Sequence, residues 1–125
     1  MKDLTILMDN QVGRAADMMT AAADRGIRIV AGCVFPRLGG RVGHLAVADE
    51  DVSAVAAVVE ANGGVLADER ECVIVPADYE GGVVAASSAV ARAGITVNVG
   101  YFGARGEVVL ATSDSDATRR ALGLD

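Results

Sequence analysis

The chain has 125 residues, of which 52% are hydrophobic, 22% charged and 3% aromatic. That profile excludes a disordered segment, and it leaves Ala and Val to fill the core of one domain, or of two small units that must pack together. A formal net charge of −6, with the 11 Lys and Arg scattered along the chain, excludes a nucleic-acid surface, which needs clustered positive charge.

Leu4, Ile6 and Met8 alternate with Thr5, Leu7 and Asp9, the period of two expected of a strand with one inward face. A turn follows at Asn10-Gln11. Val12, Ala15, Ala16, Met19, Ala22 and Ala23 then fall on the stripe of an amphipathic helix, which Gly26 closes. Ile27, Ile29, Ala31 and Cys33 restart the period of two. The turn-rich Pro36-Arg37-Leu38-Gly39-Gly40 separates them from a strand around Val42 to Val47, so the pair predicts a hairpin. Asp49, Glu50 and Asp51 place negative charge where a helix N-terminus favours it. Val52, Val55, Ala56 and Val59 supply that helix's apolar face, and Asn62-Gly63 stops it.

The stretch from Val65 to Val75 predicts two strands, one closing the first half of the chain and one opening the second, with the charged Asp68-Glu69-Arg70-Glu71 between them. The second half predicts a strand at Cys72 to Pro76, a helix from about Gly81 to Ala93, strands near Ile95 to Phe102 and Glu107 to Thr112, and a helix from Asp114 to Leu122.

The two halves repeat. Asn10-Gln11-Val12-Gly13 recurs as Asp78-Tyr79-Glu80-Gly81, and Gly26-Ile27 as Gly94-Ile95, at a constant offset of 68 residues. The expected architecture is therefore α+β, with two ferredoxin-like βαββαβ repeats over residues 1–70 and 71–125 packed together. The second repeat is expected to lack or shorten its last strand. An open sheet edge of that kind calls for another repeat or another chain, and a homodimer is expected.

His44, the single histidine, stands in the predicted third strand with no second metal-ligating residue at ligand spacing, which fits a surface or half-buried structural role. Cys33 and Cys72 form no Cys-x-x-Cys motif, so reduced thiols in a cytoplasmic chain are expected, with Cys33 a small hydrophobe. Ser87 occupies the helical position that matches Met19 and reads as packing rather than as a nucleophile. Both phosphate-loop patterns are absent, and no stretch near ~20 apolar residues predicts a membrane span. Neither a cofactor nor a metal is expected.

A βαββαβ unit with Asn/Asp-x-x-Gly between its first strand and first helix, and Gly-Ile ending that helix, resembles the ACT domain. The matching segments are Asp9-Asn10-Gln11-Val12-Gly13 and Gly26-Ile27-Arg28-Ile29 in the first copy, with Asp78-Tyr79-Glu80-Gly81 and Gly94-Ile95-Thr96-Val97 in the second. The family often carries proline before the loop glycine, where this chain has Val12 and Glu80. The resemblance implies a non-catalytic regulatory module that binds a small effector, commonly an amino acid, at the interface between paired repeats. Any regulated enzyme would lie on another polypeptide. The implied ligand-binding residues are Asp9, Asn10, Gln11, Val12 and Gly13 with the second-strand segment Ala31, Gly32 and Cys33. In the other copy they are Asp78, Tyr79, Glu80 and Gly81 with Asn98, Val99 and Gly100.

Elementary chemistry gives the glycine loops the same role, because free N–H groups and the positive dipole end at a helix start suit an α-carboxylate. Asn10 and Asp78 read equally well as helix N-caps that bind nothing. A constitutive interaction subunit with no small ligand is the alternative function, and a ferredoxin-like enzyme is a third that rests on fold analogy alone.

Overall fold

The structure, a computed structural model, describes residues 1–124. The chain divides into two compact units, one spanning Lys2–Arg70 and the other comprising Met1 and the residues from Glu71 onward.

In the first unit the strands are β1 (Lys2–Met8), β2 (Ala31–Arg37), β3 (Gly40–Val47) and β4 (Val65–Glu71), and the helices are α1 (Arg14–Asp24) and α2 (Val52–Ala61). Their chain order is βαββαβ. The strands form one sheet in the order β2-β3-β1-β4. β1 runs antiparallel to β3, from Lys2 opposite Val47 to Met8 opposite Arg41. β2 runs antiparallel to the other side of β3, from Ala31 opposite Ala46 to Arg37 opposite Gly40. Leu38-Gly39 is the two-residue hairpin loop, and Gly39 takes the left-handed φ of 77° that such tight turns need.

Leu4, Ile6 and Met8 turn to one face of the sheet and pack with Met18 and Ala22 of α1, Val55, Val58 and Val59 of α2, and Val47 of β3. The alternation of the first strand thus places the core as the sequence implies. The helical stripe is corrected. The inward positions of α1 are Ala15, Met18 and Ala22, whereas Val12 is 97% and Met19 45% exposed, and Ala16 and Ala23 are exposed too. The reason is local: Gly13 adopts φ 85°, so the helix begins at Arg14 and Val12 belongs to the loop. In α2, likewise, Val58 joins Val55 and Val59 in the core.

The second unit contains β5 (Val73–Val75), α3 (Gly82–Arg92), β6 (Val97–Phe102), β7 (Val108–Thr112) and α4 (Ser115–Leu122). Its described strands are ordered β5-β7-β6, the arrangement of β1-β3-β2 in the first unit. At the head of β5 the Cys72 amide donates to the Met1 carbonyl at 3.1 Å. Val73, Val75, Val108 and Leu110 pack against Ala86 and Val90 of α3 and Leu122 of α4.

α1 and α3 end identically. The amide of Ile27 donates to Ala22 and that of Gly26 to Ala23; 68 residues on, Ile95 donates to Val90 and Gly94 to Ala91. With Gly26 at φ 71° and Gly94 at φ 72°, these are paired Schellman motifs, the structural meaning of the repeated Gly-Ile.

Candidate functional site

Each unit opens its first helix with the same turn. In the first, the Arg14 amide donates to the Gln11 carbonyl at 3.2 Å and the Asp17 amide to the Gly13 carbonyl at 2.9 Å. In the second, Gly82 donates to Tyr79 at 2.8 Å and Ala85 to Gly81 at 3.3 Å. Gly13 and Gly81 stand at the N-cap with φ 85° and 81°, and neither helix has a side-chain cap. Asn10 and Asp78 are thus not the N-caps of α1 and α3. The left-handed glycine moves each helix start beyond the reach of those residues, and first-turn amides are left for another acceptor.

The chemistry around the two loops differs. In the first, the Asp9 carboxylate accepts from the Gln11 amide at 3.0 Å, from Arg14 Nε at 3.3 Å and from Arg14 Nη2 at 3.1 Å. Arg14 Nη2 also donates to Gln11 Oε1 at 2.5 Å. From the tip of the β2–β3 hairpin, Arg41 Nε donates to the Asp9 carbonyl at 3.0 Å and its Nη2 to the Gln11 carbonyl at 3.2 Å. Gly40 permits that approach, since a Cβ there would collide with the Met8 carbonyl oxygen. The hydrogen bond from Arg14, then the Gln11 amide, hold the Asp9 carboxyl below its ordinary range, and Asp9 in turn raises Arg14. Asp9 is therefore already paired within the loop.

In the second loop Ala77 and Gly82 stand where the first has Asp9 and Arg14, so the ion pair has no counterpart. Gly82 is itself left-handed at φ 64°. Tyr79 packs on the core of its unit, whereas Asp78 and Glu80 lie at its surface.

The second-strand segments do not lie beside the loops of their own repeats. β3 separates β2 from β1, and Cys33 and Ala31 fall level with Thr5 and Asp3, toward the end of β1 remote from Asp9. In the second unit β7 intervenes in the same way; Gly100 pairs opposite Leu110, and the exposed Asn98 sits at a β-bulge between Val97 and Val99. The correction has a topological cause, because a βαβ crossover in this fold leaves a strand's width for the next strand to enter. Each repeat thus presents a loop at one end of its sheet and a strand segment at its edge.

His44 is 7% exposed rather than half-buried. Its Nδ1 lies 3.1 Å from Oδ1 and 3.2 Å from Oδ2 of Asp3, whose own exposure is 0%, and the Phe35 ring stacks on it at 6.0 Å. Sequence reading missed this pair, and it also missed Arg14 and Arg41. Burial pushes the Cys33 thiol up, which opposes an activated thiolate. Among the described residues, no group of three or more His, Cys, Asp or Glu side chains is placed to hold a metal ion, and no helix is long and apolar enough to cross a membrane.

A βαββαβ unit followed by a βαββα unit of matching order, each with a glycine loop opening its first helix, defines a tandem protein with the ACT-type fold. Solved structures share it. A protein of Bacteroides thetaiotaomicron is similar at a TM-score of 0.75 and 19% identity, over 98% of this chain and 85% of that one. The regulatory subunit of aspartate kinase from Thermus thermophilus, in a ligand-free form, is similar at 0.70 and 18%, over 98% and 89%. The corresponding subunit from Thermus flavus is similar at 0.65 and 15%, over 98% and 90%. At these identities the likeness is one of fold. No family model and no curated protein matches the chain.

Proposed function

We propose that this chain is a non-catalytic regulatory protein that binds a small effector, an amino acid, at its glycine loops and acts as a homodimer on an enzyme carried by another polypeptide. The observation that carries the reading is the pair of left-handed glycines, each at the N-cap of an 11-residue helix with no side-chain cap. First-turn amides and the positive end of the helix dipole suit the α-carboxylate of an amino acid. Further support comes from the fold shared with two structures described as regulatory subunits. The first loop is the better braced, through Asp9, Arg14 and Arg41.

An effector that favours one arrangement of the protein shifts the population toward it by its differential affinity, and the partner enzyme reads the shift. The cytoplasm is the proposed compartment, where thiols such as that of Cys33 stay reduced.

A thermal-shift screen against the twenty amino acids, with nucleotides as controls, tests the reading. A ligand at ~100 times its Kd stabilises the native state by roughly 2.7 kcal/mol, a shift of several degrees in Tm. Silence from all twenty at millimolar concentration would leave the constitutive interaction subunit in its place.

A further inference from the structure

Among the exposed large hydrophobic side chains of the described residues, Val12 and Leu38 stand farthest out, at 97% and 98%. Far apart in the chain, they come to the same end of the first sheet. Leu38 heads the β2–β3 hairpin, and Arg41 at the start of β3 donates to the carbonyls of Asp9 and of Gln11, the residue before Val12. Each of the two side chains thus protrudes from a turn that backbone and guanidinium hydrogen bonds hold in place.

The same end concentrates positive charge in a chain whose net charge is −6. Arg37 and Arg41 bracket the Leu38-Gly39-Gly40 tip, and Arg14 stands at the loop that Arg41 contacts. Asp9 answers both Arg14 and, at longer range, Arg41, while Asp17 lies in the first turn of α1 near Arg14. Arg41 directs its hydrogen bonds to carbonyls, and the exposed Arg37 has no ion-pair partner among the described residues. The opposite end of the unit is acidic, with Asp49, Glu50 and Asp51 after β3 and Glu69 and Glu71 toward the end of β4.

The second unit shows that the fold does not demand this end. Continuing the register of Val75 opposite Val108 by one residue puts Glu107 where the first unit has Arg41 opposite Met8. The turn after β6 carries Ala104-Arg105-Gly106 with no large hydrophobic residue, and Asp78 and Glu80 are exposed at its glycine loop. Apolar tips and positive charge therefore occur together in the first repeat alone.

We propose that the Val12–Leu38 end of the first unit docks an acidic segment of a partner protein, whose apolar side chains cover Leu38 and Val12 and whose carboxylates meet Arg37 and Arg41. Opposite charge steers such a segment to this end, and the apolar contact excludes water around the ion pairs. The two-residue turn with left-handed Gly39 fixes Leu38 before contact, which lowers the ordering cost of association. An anionic lipid surface fits less well, because the net charge of the whole chain opposes its approach. The inference rests on the partner in the function proposed above, gives that partner's chemistry, and does not depend on the effector.

Panning a phage library of random peptides against the native chain tests it. Enriched peptides should combine Asp or Glu with apolar residues, and their synthetic forms should bind more weakly as salt is added. Leu38→Ser and Arg37→Glu change exposed residues outside the glycine loop, so circular dichroism and any thermal response to an amino acid should be unchanged. Each should weaken peptide binding by roughly tenfold or more. No enrichment, enriched peptides without carboxylates, or an affinity that both variants leave unchanged would overturn the proposal. So would sedimentation of the native chain with vesicles of phosphatidylserine and phosphatidylcholine that Leu38→Ser abolishes, which would assign the end to a membrane. A chain that binds these peptides as described yet responds to no amino acid would keep this surface and lose the effector.

Discussion

Asp9 and Arg14, five residues apart on either side of the left-handed Gly13, close the first loop on itself: Nε meets Oδ1 at 3.3 Å and Nη2 meets Oδ2 at 3.1 Å. The pair is solvent-facing, with Asp9 52% exposed. It organises the loop more than it stabilises the fold, because exposed ion pairs are screened.

Its pH dependence follows from the lowered Asp9 value. A depressed folded-state pKa means that the contribution is complete above the ordinary aspartate range and is lost as pH falls through the folded value. Asp9→Asn should lower Tm slightly near neutral pH, and the difference should vanish at the acid end. Melting curves of both proteins across pH check this; a gap that widens toward acid would contradict it.

Gly13 and Gly81 should respond unequally to alanine. Left-handed backbone costs an L-residue roughly 1–2 kcal/mol. A Cβ at Gly13 meets nothing within 4 Å, whereas one at Gly81 lies 2.5 Å from the Ala85 Cβ. Gly13→Ala should cost about that strain alone and Gly81→Ala more, as read from urea midpoints.

His44→Ala removes one partner of a buried pair and leaves the Asp3 carboxylate short of its Nδ1 contact. Leaving a buried polar group short of a hydrogen-bond partner costs about 1–3 kcal/mol. Chemical denaturation should show a loss of that order, and a change within experimental scatter would deny the pair a structural role.

Asp114 caps α4, its Oδ1 accepting from the Ala117 amide at 2.9 Å. Asp114→Ala should cost about 0.5–2 kcal/mol. The loss should disappear in Asp114→Ser, which keeps an acceptor, when the two variants are compared in the same denaturant series.

Much of the fold is legible in the sequence because the periods are clean. Leu4, Ile6 and Met8 alternate into the core, and the repeated Gly-Ile marks two Schellman ends. The α1 stripe is not, since one left-handed glycine decides whether Val12 or Arg14 opens the helix, and periodicity carries no record of φ. The loop glycines are visible as repeats. Their bracing is not, because Arg41 arrives from a hairpin 30 residues away and Asp3 meets His44 across 41. Such pairs depend on strand register, which here follows from the hairpin turn and not from any motif.

Isothermal titration of an amino acid that raises Tm, into the native chain, Gly13→Ala and Gly81→Ala, tests the central claim most directly. The account predicts saturable binding to the native chain and at least a tenfold loss in Gly13→Ala, since the strain of a left-handed alanine there biases the loop away from the geometry that aims the first-turn amides. Equal affinity in the native chain and in both variants would place the effector away from the glycine loops and contradict the account.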